Sequence, residues 1–177
     1  MLFKFDLGVI PATTVFLTHQ YWMGRTAITQ MQWQAIMGNI PCHFQGYDFP
    51  AEHITWEDAM AFCQKLTERE RAAQRLPNGY IYSLPSEAQR EYASRSGTTD
   101  DHIEKLESVA WYNENSSDAM HPFGTTHSVA TKLPNKWGFY DMQGNVMEWC
   151  RDYYDTYPGG NIINSNGPTG SCICSPC

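Results

Sequence analysis

Gly138-Phe139-Tyr140-Asp141-Met142-Gln143-Gly144-Asn145-Val146-Met147-Glu148-Trp149 is the stretch on which the reading of this chain turns. It is rich in aromatic residues, has glycine at two turn positions, and sets two carboxylates seven residues apart. Read as a turn running into a strand, it puts Val146, Glu148 and Cys150 on one face, because side chains alternate along a strand. Glu148 can be buried there only where a positive or hydrogen-bonding group meets it. Asp141, the turn carbonyls and Glu148 together offer several hard oxygen donors of the kind calcium prefers. The plainer alternative is a turn into an edge strand with a solvated glutamate.

A chain of 177 residues fits one domain with a sizeable core. Ten Tyr, eight Phe and six Trp point to a loop-rich domain held by large side chains, or to a recognition surface. Twelve Lys and Arg against nineteen Asp and Glu give a net charge of −7, and no basic run occurs, which argues against nucleic acid as a partner. An acidic balance is compatible with a bound cation without requiring one. No apolar run is long enough to span a membrane. The start, Met1-Leu2-Phe3-Lys4-Phe5-Asp6, does not read as a secretory signal. The default expectation is therefore a cytoplasmic protein, the alternative being that the true start lies upstream. Of six cysteines, Cys42, Cys63 and Cys150 are scattered through the body and read as buried free thiols. Cys172, Cys174 and Cys177 crowd the end.

Along the chain, Thr14 to Met23 alternates loosely and reads as a strand. Thr29-Gln30-Met31-Gln32 is a capping box that opens a helix through about Met37, ended by Gly38. Residues 39–53 form a loop. Thr55-Trp56-Glu57-Asp58 caps a second helix to about Ala73, with Ala59, Phe62, Cys63 and Leu66 on its buried face. Tyr80 to Leu84 is a short strand. Ser86-Glu87-Ala88-Gln89 caps a third helix to about Arg95. Its Glu87 and Glu91 face solvent or pair with Arg90 and Arg95. Thr98 to Pro134 is loop, and Val146 to Tyr153 is the next strand. After Pro158-Gly159-Gly160 the sequence carries no core signal. The expected class is α+β, with about three helices, short antiparallel strands and a large irregular share. Residues 1–170 form a single domain and 171–177 an atypical Cys-rich tail. The histidines show no ligand spacing, and no G-x-S-x-G, P-loop or dinucleotide motif is present.

GFYDMQGNVMEWCRD also resembles the GLYDMxGNVWEW signature of the formylglycine-generating-enzyme family, the sulfatase-modifying factors. Four further segments fall in that family's order. They are Tyr21 to Gln30, Ile54 to Ala59, Ser83 to Ala93 and Lys132 to Gly138. The resemblance implies a C-type-lectin-like fold. It implies a structural calcium site, with a side-chain oxygen from Asp141, backbone carbonyls from Gly144 and Val146, and the carboxylate of Glu148. The family's own reaction oxidises a sulfatase cysteine to formylglycine with copper(I) and oxygen, on a C-x4-C pair after an RGGSW-type segment. Here Gly167-Pro168-Thr169-Gly170 is followed by Ser171-Cys172-Ile173-Cys174-Ser175-Pro176-Cys177, without the RGGSW segment. The domain therefore reads as incomplete at its C-terminus, with copper belonging only to a longer parent chain. No residue is assigned to catalysis, although Cys172 and Cys177 keep the C-x4-C spacing and a tail of this kind could take a soft metal. The family carries a buried Trp where Arg90 stands. The expectation is a binding or structural domain with a protein or peptide ligand. The alternative is a copper-dependent oxidase acting on a sulfatase cysteine.

Overall fold

The computed structural model describes residues 2–4, 13–98, 106–153 and 159–164. In chain order the elements are β1 (Leu2–Lys4), β2 (Thr13–Phe16), α1 (Gln30–Met37), α2 (Trp56–Ala72), α3 (Glu87–Arg95), α4 (Leu106–Val109) and β3 (Gly160–Ile163). Most of the described chain is loop, and the class is α+β.

The three longer helices begin where their capping boxes place them. Thr29, Ser86 and Thr55 each accept the backbone N–H three residues on, while Gln32, Gln89 and Asp58 reach back to the cap. Two donors that a helix start leaves orphaned are thereby satisfied at each. Gly38 ends α1 in the left-handed region at φ 84°, where a side chain would be strained. The inward faces of α1 and α2 meet at Trp33 and Phe62, stacked with ring centroids 5.1 Å apart. Gln30, fully buried, ties the following loop to α1: its amide donates to Phe44 O and its carbonyl oxygen accepts from Gly46 N.

The sheet has the order β1-β2-β3, antiparallel and then parallel. Val15 sits opposite Ile162 and is buried against Ala88 of α3. The strand expected over Thr14 to Met23 is thus shorter, Thr13–Phe16. Past Phe16 the hydrogen bonds involve side chains: Thr18 N donates to Asn164 Oδ1, and the Tyr21 hydroxyl donates to the main-chain carbonyl of Gln89.

Neither Tyr80 to Leu84 nor Val146 to Tyr153 forms a strand. Tyr82 N donates to the Thr67 hydroxyl at 2.9 Å, and Arg151 N donates to Pro85 O at 2.8 Å. The indoles of Trp56 and Trp149 instead donate crosswise to Cys150 O and Ile54 O, each at 3.0 Å. Three elements were not foreseen, the strand β1 at Leu2–Lys4 among them. The single turn α4 lies within the expected loop, and β3 lies where no core signal was read; its residues are mostly exposed, so they carry no apolar pattern. Among the described residues no helix is long and apolar enough to cross a membrane.

Candidate functional site

The turn at 141–148 is clasped from three sides. Asp141 has a positive φ of 55° and Asn145 one of 70°. Both are residue types that tolerate the left-handed region. Asn145 N donates to Trp111 O at 2.8 Å, and its side-chain amide brackets His127, accepting from N and donating to O. Gly144 lies so close to Trp111 that a Cβ would collide with that residue's carbonyl oxygen. Asp141 is buried; its Oδ2 accepts from Ala130 N at 2.8 Å, while Oδ1 has no partner among the described residues. Burial pushes its carboxyl above the ordinary range, the Ala130 N–H opposes this, and the charge of Glu148 adds to the rise.

Glu148 is met from α3. Arg90 Nε donates to Glu148 Oε2 at 3.1 Å, and Nη2 donates to Glu148 Oε1 at 3.3 Å and to Met142 O at 3.1 Å. The Arg90 residue is only 9% exposed. This is the forked geometry that favours arginine over lysine on a carboxylate. Of the glutamates on α3, Glu91 pairs with Arg95 at 2.6 Å. Arg90 therefore leaves its own helix surface, contrary to the reading that placed it with Glu87 and Glu91. The signal for this was its place between Ala88 and Ala93, on the buried face of α3.

Arg90 and Glu148 line a cleft of about 490 Å³ with Trp111, Tyr112, Gln143 and Met147. Trp111 is fixed within its wall. Its indole N–H donates to Thr131 Oγ1 at 2.9 Å, the His127 ring stacks on it at 3.7 Å, and Lys132 Nζ lies 3.9 Å from its ring centroid. Met147 is 75% exposed and offers its side chain to solvent.

Of the residues read from sequence as calcium donors, Asp141, Gly144, Val146 and Glu148 lie on this one turn, and the last three line the cleft. The orphaned Asp141 Oδ1 is an oxygen a cation could use. Both oxygens of Glu148 accept from Arg90, so a metal reaching them would share the carboxylate with a guanidinium. Among the described residues no three His, Cys, Asp or Glu side chains converge as a metal cluster. Cys172 and Cys177 lie outside the described residues. Cys42, Cys63 and Cys150 are free thiols, and burial pushes those of Cys42 and Cys63 up.

The model of the sulfatase-modifying factor enzyme 1-like domain family matches residues 4–173. Among solved structures, Treponema denticola variable protein 1 is similar, with a TM-score of 0.81 and 31% identity, over 96% of this chain and 76% of that one. A chaperone protein LppX from Paenibacillus barcinonensis is 26% identical, over 76% of this chain and 62% of its own length. A formylglycine-generating enzyme of Bos taurus is 28% identical, over 68% of this chain and 32% of its own. The chain thus spans less than two thirds of either curated relative.

Proposed function

This chain belongs to the family of sulfatase-modifying factor enzyme 1-like domains, and from that premise we propose that it is a binding domain that presents the cleft beside α3 to a protein or peptide. The cleft carries this reading. Its wall combines aromatic and thioether surface at Trp111, Tyr112, Met142 and Met147 with carboxylates at Glu87, Glu114 and Glu148. Apolar surface with a few fixed polar groups is the usual make-up of a binding cleft. Tyr supplies large contact area, and the flexible thioether of Met adapts to the shape it meets.

Peptides displayed at random and selected on the intact chain test it. Tyr112→Ser and Met147→Glu, each melting like the wild type, are expected to weaken the selected peptides at least about tenfold, the equivalent of roughly 1.4 kcal/mol. Equal binding to the wild type and both variants overturns the reading.

The match to a formylglycine-generating enzyme favours a second reading, oxidation of a sulfatase cysteine. Incubation with copper(I), oxygen and a peptide bearing Cys-x-Pro-x-Arg separates the two. A binding domain leaves the peptide thiol unchanged by mass spectrometry. Conversion to the aldehyde, abolished by Cys177→Ser, establishes the oxidase.

A further inference from the structure

We propose that Arg90 is the resident cation of the Asp141–Glu148 turn, taking the place that a divalent ion would otherwise fill, so that the turn folds without calcium. The guanidinium engages the same kinds of oxygen that calcium selects: both oxygens of the Glu148 carboxylate and the main-chain carbonyl of Met142. It reaches them from a fixed base. Helix α3 is capped by Ser86, and Glu87 N donates to the buried carboxylate of Asp152.

Burial makes the contact obligatory. The Arg90 side chain is 11% exposed and that of Glu148 27% exposed, so neither charge has full access to water. Removing one partner of such a pair strands the other, and the loss exceeds the net worth of the pair. Arginine and a dication would also compete for the Glu148 carboxylate. A dication bound to Glu148 oxygens would sit roughly 2.3–2.6 Å from them. It would therefore meet a guanidinium hydrogen-bonded to those same oxygens, and the two like charges repel in a partly buried site. The resident arginine therefore disfavours the ion. The sequence supplies the arginine in cis, from α3.

Thermal melts of the full chain in excess calcium chloride, in magnesium chloride and in EDTA test the proposal. The wild type is expected to melt at one temperature in all three. Arg90→Gln is expected to melt roughly 6–20 °C lower in EDTA and to recover part of that loss in calcium but not in magnesium. Arg90→Gln combined with Glu148→Gln is expected to melt above Arg90→Gln in EDTA and to lose the calcium response. A wild-type melting temperature that rises in calcium, with the rise abolished by Glu148→Gln, overturns the proposal. So does an Arg90→Gln protein as stable in EDTA as the wild type. Should Arg90→Gln not fold, the wild-type arm and the double variant still decide. Terbium adds a direct reading on the wild type: tryptophan-sensitised emission that calcium displaces and Glu148→Gln removes counts against Arg90.

Discussion

Two aspartates show how position alone sets the behaviour of one residue type. Asp58 is exposed at the start of α2, where the Thr55 hydroxyl and backbone N–H donate to its carboxylate and hold it below the usual range. Asp152 is buried beneath the start of α3; burial pushes it up, and the N–H of Glu87 only partly offsets this. The signs are opposite. A carboxyl whose folded pKa is lowered contributes stability above its unfolded value of about 3.9, and that contribution is lost as pH falls through the folded value. A carboxyl whose folded pKa is raised contributes most below about 3.9, and that contribution is lost as pH rises through the folded value. Carboxyl carbon titrations followed by NMR should therefore place Asp58 below, and Asp152 above, an aspartate in a short peptide. Asp152→Asn should flatten the acid-side response while keeping an oxygen for Glu87 N. The same residue-scale logic explains Gly144. It stands where Trp111 O leaves no room for a Cβ, so the glycine answers a close approach of two backbones.

At the scale of elements, the helices are set locally and the extended segments are not. Each capping box lies within four consecutive residues, and the apolar spacing of Ala59 and Phe62 on α2 puts both on its buried side. The extended segments depend on what they meet. Residues 80–84 run past α2, and the Thr67 hydroxyl does the work a neighbouring strand would do: it donates to Cys63 O at 2.8 Å and accepts from Tyr82 N. Thr67→Val keeps the shape and removes the acceptor. It should cost about 1 kcal/mol in urea unfolding, the order of one hydrogen bond, and should speed amide exchange at Tyr82 relative to the α2 amides. Unchanged exchange at Tyr82 would show that the segment is held by its side chains instead.

At the scale of the molecule, few large side chains among the described residues are fully buried, and the buried set includes four alanines and two cysteines. The Trp33–Phe62 stack is therefore a principal apolar joint between α1 and α2. Phe62→Ala should cost about 3–5 kcal/mol in equilibrium unfolding, from lost transfer energy plus the cavity. A loss below about 1 kcal/mol would mean that the joint collapses freely around the gap. The rest of the fold is bound by side chain to backbone ties across long separations, such as the crossed indoles of Trp56 and Trp149. The amino-acid sequence alone was enough to place α1, α2 and α3, their caps, the 141–148 turn and the family, because each of these is written in residues adjacent or one helical turn apart. It did not reveal β3 beside β2, nor Arg90 on Glu148, 58 residues away. Those pairings depend on which surfaces the closed loops bring together. A local pattern such as Ser86-Glu87-Ala88-Gln89-Arg90 shows that Arg90 is on a helix, and only the packing of α3 against the turn shows what it faces.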